Sequence, residues 1–83
     1  MHYVYILKSL KDPRLYIGRT DNLRKRFREH QKGKVKSTKH RRPFSLVFYE
    51  AFIGKEDTIR REKYFKTSKG KTSLKLIIRE SLR

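Results

Sequence analysis

The amino-acid sequence predicts a small α+β domain: a three-stranded antiparallel sheet flanked by helices, in the order ββαβαα. Three observations carry that expectation. Two short β-rich runs near the N-terminus are joined by a turn signal, and a later run is apolar at nearly every position. The remaining stretches repeat their apolar residues at helical spacing. With 83 residues, the chain has room for one domain with a small core, taken as residues 1–83.

The first two strands are "HYVYIL" and "RLYIGR", separated by "KSLKDP", whose Asp-Pro pair marks a turn and makes the two a hairpin. A four-residue loop from Leu10 to Pro13 would pair Ser9 with Arg14 and set Tyr5 opposite Gly18 with Tyr16 as its diagonal neighbour, whereas a loop one residue different would put the two tyrosines on opposite faces. A helix then starts from Asp21 as N-cap, carries Leu23 and Phe27 on one face, and stops at Gly33. "GKVKSTKHRRP" has no apolar period and is expected to be a cationic loop. "FSLVFYEAF" is apolar on both faces and is expected to be a central, covered strand. Two further helices are expected from about Glu56 to Lys66 and from about Thr72 to Leu82, the second with Leu74, Ile77, Ile78 and Leu82 on one stripe.

Charge separates the classes of function. Lys and Arg number 24 against 8 Asp and Glu, a formal charge of +16 that calls for an anionic partner. The bases gather in two clusters, Arg24 to Arg42 and Arg60 to the C-terminus, expected to flank one groove. No lipidation signal, apolar anchor face or membrane-length stretch is visible, so nucleic acid is favoured over a membrane surface. The chain has no cysteine, which excludes disulfide and thiolate-metal frameworks and fits a reducing cytoplasm. "GKTS" at 70–73 is not a phosphate-binding P-loop, because Phe65 stands where that motif needs its leading glycine.

Several side chains are placed where chemistry is possible. With the four-residue loop, Tyr5 and Tyr16 share one sheet face, and a glycine opposite Tyr5 leaves space for a ligand to approach; each tyrosine taken alone also reads as an ordinary strand residue. Arg26 and His30, four apart on the first helix, stack beside the Leu23–Phe27 stripe. Glu62 falls three residues from both Ile59 and Phe65, on a stripe that should pack inward. A carboxylate there calls for an arginine partner, a metal or a proton.

The series "YVYIL", "YIGR", Arg26, His30, Glu62 resembles the GIY-YIG nuclease family, in particular its small stand-alone bacterial members, which are similar to the N-terminal nuclease domain of a nucleotide-excision-repair protein. Order and spacing carry the likeness: eleven residues from Tyr5 to Tyr16, ten more to Arg26, four to His30, then a glutamate in the helix after the third strand. The resemblance implies that Tyr5 is the tyrosine of the first motif, that Tyr16 and Gly18 belong to the second, that Arg19 is the basic residue following it, and that Glu62 is the metal ligand. It also implies the same three-stranded sheet. The chain departs from the family in two places. Tyr3-Val4-Tyr5 stands for Gly-Ile-Tyr, and the only asparagine, Asn22, is far from the position after the glutamate helix where many members carry one.

The expected function is metal-dependent endonucleolytic cleavage of DNA, structure-selective and related to repair. Eight scattered acids argue against a two-metal site, so one Mg2+ (or Mn2+) at Glu62 is expected. Arg26, helped by Arg19, would clamp the scissile phosphate. A tyrosine base starts from an ordinary pKa of about 10, and either Tyr5 or Tyr16 could fill that role, with His30 orienting a tyrosine or relaying a proton. Lys34, Lys36, Lys39 and Arg41 of the cationic loop would contact the phosphate backbone. With no specificity domain, targeting would fall to DNA shape or a protein partner. The alternatives are a catalytically inactive nucleic-acid-binding module, motivated by the absent asparagine, and a small basic ribosomal or nucleoid-associated protein.

Overall fold

A computed structural model describes all residues, 1–83. The strands are β1 (His2–Ser9), β2 (Leu15–Thr20) and β3 (Phe44–Phe52), and the helices α1 (Leu23–Gln31), α2 (Lys55–Phe65) and α3 (Ser68–Ile77). A single 3-10 turn, Lys39–Arg41, interrupts the cationic segment. The ββαβαα order is the expected one. The sheet is antiparallel in the order β2-β1-β3.

That order corrects one expectation: β1, not β3, is the central strand. In β1 the consecutive residues Val4, Tyr5, Ile6 and Leu7 are all buried, the mark of a strand covered on both faces and paired on both sides. In β3, Ser45, Tyr49 and Ala51 are exposed and one edge carries no partner strand. Its apolar sequence serves two helical layers while its edge stays open.

The two layers separate by side-chain parity. Val4, Ile6 and Ile17 pack with Phe65, Leu74 and Ile78 from α2 and α3. Tyr5, Leu7 and Phe44 pack with Tyr16, Leu23, Phe27 and Leu46 on the face that α1 covers. The helices that carry the two basic clusters therefore lie on opposite faces of the sheet.

Helix boundaries show where local chemistry outweighs pattern. Asn22, not Asp21, caps α1: its side chain accepts from the Lys25 amide at 3.1 Å. Gly33, at φ +75, ends the helix as expected, its amide bonding the His30 carbonyl at 3.2 Å. The third helix begins at Ser68 instead of Thr72, because the Thr67 hydroxyl accepts from the Gly70 amide at 3.0 Å and places Gly70 inside the first turn. It ends at Ile77 instead of Leu82. Leu74 and Ile78 are buried, whereas Ile77 falls on the flank and is half exposed.

The cationic segment is pinned at defined points. Val35 and Thr38 are buried, the Arg41 guanidinium forms two bonds to the Asp12 carboxylate at 2.8 and 3.1 Å, and the Gln31 amide both donates to and accepts from the Phe44 backbone. These contacts hold the loop against the hairpin turn and the start of β3.

Candidate active site

The hairpin register decides the site. Tyr5 pairs with Gly18 and Leu7 with Tyr16, so both tyrosines rise from one face and their rings lie 6.2 Å apart. The space above Gly18 is not open. A Cβ built there would lie 2.6 Å from the Tyr5 Cζ and hydroxyl and 3.0 Å from the Tyr16 ring, so the glycine makes room for the tyrosines themselves, which corrects the expected reason for it. His30, fully buried at the end of α1, completes the group. Its Nε2 is 2.9 Å from the Tyr5 hydroxyl, its Nδ1 2.8 Å from the Thr38 hydroxyl, and its ring stands edge-on to Tyr16 at 5.0 Å.

The two hydroxyls differ. Tyr5 is 1% exposed and committed to His30. Tyr16 is only partly buried; its hydroxyl lies near that of Tyr5, makes no close hydrogen bond to another residue, and is open to solvent.

Burial moves the Tyr5–His30 pair in opposite directions. It pushes the Tyr5 phenol up to about 12, against the pull of the Arg26 guanidinium, and it lowers His30 to about 4, with Arg26 adding to the effect. Both groups are neutral near pH 7, so the Tyr5–His30 contact joins an uncharged phenol to an uncharged imidazole. A measurable consequence follows for stability. The folded chain binds the His30 proton more weakly than the unfolded chain, whose histidine titrates near 6.5. The stabilisation is complete above that value and is lost as the pH falls toward 4, about 3 kcal/mol in all. Urea unfolding at about pH 7.5 and about pH 4.5 should differ by roughly 2 to 3 kcal/mol through this group. His30→Gln should flatten that slope; an unchanged slope would place its source elsewhere.

Arg26, one turn before His30, reaches Glu29 at 3.2 Å, and its guanidinium is held above its ordinary range chiefly by the Tyr5 hydroxyl. Arg19 leaves β2 on the other side. It pairs with Val4, so alternation points it toward α2, where its Nε meets Glu62 Oε1 at 3.2 Å; Lys66 Nζ takes Glu62 Oε2 at 3.3 Å. The structure thus forms two groups, Tyr5–Tyr16–His30 with Arg26 on the α1 face and Arg19–Glu62 beside α2. At the free edge of β2, Arg19 from one group and Arg26 from the other line one cleft of about 360 Å3; the tyrosines, His30 and Glu62 are not among its lining residues.

Of the loop bases, Lys34, Lys36 and Lys39 are exposed and unpaired, while Arg41 is engaged by Asp12 and the Arg14 carbonyl. For a divalent ion, no three His, Cys, Asp or Glu side chains converge anywhere in the chain. A magnesium-type ion needs only one or two carboxylates and completes its shell with water and phosphate. Glu62, largely buried on α2 and tied to the cleft only through its ion pair with Arg19, fits as a single donor once Arg19 or Lys66 yields an oxygen.

A model of the GIY-YIG catalytic domain matches residues 1–75. The chain belongs to the GIY-YIG family. This GIY-YIG domain is 47% identical over 77 residues to a UPF0213 protein of Staphylococcus haemolyticus, covering 92% of this chain and 93% of the relative. It is 43% identical over 84 residues to a UPF0213 protein of Clostridium perfringens, with 100% and 89% covered. Among solved structures it is similar to the solution NMR structure of a UPF0213 protein from Bacillus halodurans, at 37% identity and a TM-score of 0.58, covering 92% of this chain and 83% of that one. Membership in the GIY-YIG family implies nuclease chemistry on DNA. Sequence reasoning missed Thr38 and Gln31 in this GIY-YIG domain, because each is a lone polar residue whose partner, His30 or Phe44, is brought close only by folding.

Proposed function

We propose that the protein is a divalent-metal-dependent endonuclease that hydrolyses phosphodiester bonds in DNA. The observation that supports this most is the pairing of a solvent-facing Tyr16 hydroxyl with a buried, hydrogen-bonded Tyr5–His30 pair beside Arg26. Arg26 and Arg19, from the two sides of the β2 edge, hold the scissile phosphate and offset the charge that builds on its oxygens. The Tyr16 oxygen orients a water for in-line attack. As the water oxygen bonds to phosphorus, Tyr16 takes up the proton it loses and passes its own hydroxyl proton to solvent; the P–O bond to the leaving nucleotide breaks, and that oxygen is protonated from solvent. Tyr5, tied to His30, fixes the position of the Tyr16 ring. A single Mg2+ or Mn2+ ion held by Glu62 would supply Lewis-acid stabilisation of the phosphate.

Exposed Lys34, Lys36 and Lys39 extend the positive surface on the α1 side and bind backbone without reading sequence. A surface of that kind leaves the choice of substrate to DNA shape or a protein partner, which supports structure-selective, repair-related cleavage. The cysteine-free chain and its substrate support a cytoplasmic location; no helix is long and apolar enough to cross a membrane.

The test incubates purified protein with branched and linear DNA, with and without magnesium. Branched DNA should be cut faster, and only with metal. Glu62→Gln should lower cleavage by about a hundredfold or more while DNA affinity stays nearly intact, since it removes a ligand and adds no bulk. Full cleavage by that variant would end the metal-ligand role. One observation favours a second reading, a binding module without turnover: both Glu62 oxygens are taken by cations. Tight DNA binding with no cleavage under any metal would select it.

A further inference from the structure

Beyond the groups that face the cleft, one fully buried polar chain has no role in the cleavage step itself. It runs from Tyr5 through His30 to Thr38, whose hydroxyl lies 3.4 Å from the Val35 carbonyl. Tyr5, His30 and Thr38 are each at most 1% exposed, so water does not enter the count of donors and acceptors. A carbonyl only accepts. The Val35 carbonyl already takes the Thr38 and Lys39 amides at 3.1 and 3.0 Å, so the direction is set from the other end. The Arg26 guanidinium beside the Tyr5 hydroxyl only donates, so Tyr5 turns its lone pairs to it and its own proton to Nε2. The neutral ring then carries its hydrogen at His30 Nδ1, which Thr38 Oγ1 accepts while its own proton points to Val35. All three protons point inward in one direction. Tyr5 is left with lone pairs alone toward Arg26 and Tyr16, the two groups whose proximity affects its phenol.

We infer that Thr38 is a positioning residue for the nuclease reaction: its hydroxyl locks His30 in the Nδ1–H tautomer, which makes Tyr5 a donor to the core and an acceptor toward the cleft. The opposite chain, with Thr38 donating to Nδ1 and Nε2–H donating to Tyr5, would turn the Tyr5 proton outward, against the Arg26 guanidinium. A buried hydrogen bond on one imidazole nitrogen sets the role of the other in this way. Arg26, Glu29, Tyr5 and Tyr16 are the other titratable groups that act on this ring or lie against it. This inference rests on the proposed nuclease reading for its kinetic consequence and not for its structural one.

The structural consequence is read without activity, from the ring-nitrogen NMR shifts of His30 between about pH 6 and pH 8. Wild-type protein should show Nδ1 protonated and Nε2 unprotonated. Thr38→Val, close in shape but without the hydroxyl, should lose that tautomer, and Thr38→Ser should keep it. In DNA cleavage, Thr38→Val should lower kcat by about tenfold or more with KM little changed, and Thr38→Ser should stay within about threefold of wild type. A wild-type ring protonated on Nε2, or a Val variant with an unchanged tautomer, would overturn the inference, and so would normal kcat in a folded Val variant whose tautomer has changed. Should Thr38→Val fail to fold, the wild-type and Ser spectra still decide. Should wild-type protein cut no DNA, the nuclease reading fails while the tautomer measurement stands on its own.

Discussion

Gly70→Ala should cost the protein a large part of its folding stability at room temperature. In an exposed helix this exchange stabilises by up to about 1 kcal/mol, because alanine loses less entropy on becoming helical. Gly70 instead sits in the first turn of α3, where α3 crosses the end of α2. A Cβ there would overlap the Tyr64 carbonyl oxygen outright and lie 2.9 Å from the Phe65 Cα. Both are backbone atoms of a neighbouring helix, so no rotamer change relieves the overlap; α3 must move away. That movement exposes Leu74 and Ile78, which share the main core with Phe65, Val4 and Ile6. A cost of about 3 kcal/mol or more is expected, a large part of what a domain this small has to lose. Far-UV circular dichroism and urea titration decide the matter, and a variant as stable as wild type would show that the two helices can separate without disturbing the core.

The largest effect on activity is expected from Tyr16→Phe: cleavage lower by about a hundredfold or more, with folding and DNA affinity unchanged. The reason for unchanged folding is specific, since the Tyr16 hydroxyl makes no close hydrogen bond that holds the core and its ring packing against His30 survives. Tyr5→Phe should behave differently. It removes the only hydrogen-bond partner of the buried His30 Nε2 and leaves that atom unpaired, which costs about 1 to 3 kcal/mol of stability. Its loss of cleavage should be the smaller of the two. A Tyr16→Phe protein that cuts at the wild-type rate would remove Tyr16 from the reaction; equal losses in both variants would mean that the tyrosines act as one unit.

How far the sequence carried the site depends on the range of each interaction. The Tyr5–Gly18 register was legible because a short hairpin fixes it locally, and the structure has that register. Arg26 and His30 were legible as helix neighbours for the same reason. Glu62 stood out as an acid on an inward stripe, and it pairs with Arg19 and Lys66. Arg41 read as one more base in a cationic loop, yet its guanidinium closes on Asp12, twenty-nine positions away in the chain. Nothing local distinguishes it from Lys39, which is exposed.

The sequence by itself determined the order of elements, the hairpin register, the shared face of the tyrosines and the excess of positive charge, all of which follow from spacing, turn chemistry and composition within short windows. Tertiary structure alone decided that β1 and not β3 lies in the centre, because strand order depends on which edges meet and an apolar run has the same appearance in either place. It also decided that α1 covers one sheet face and α2 and α3 the other, and that a threonine in a lysine-rich loop ends up against a buried histidine. Those outcomes are set by contacts between residues distant in the chain, and the closure of one small core around both sheet faces selects them together.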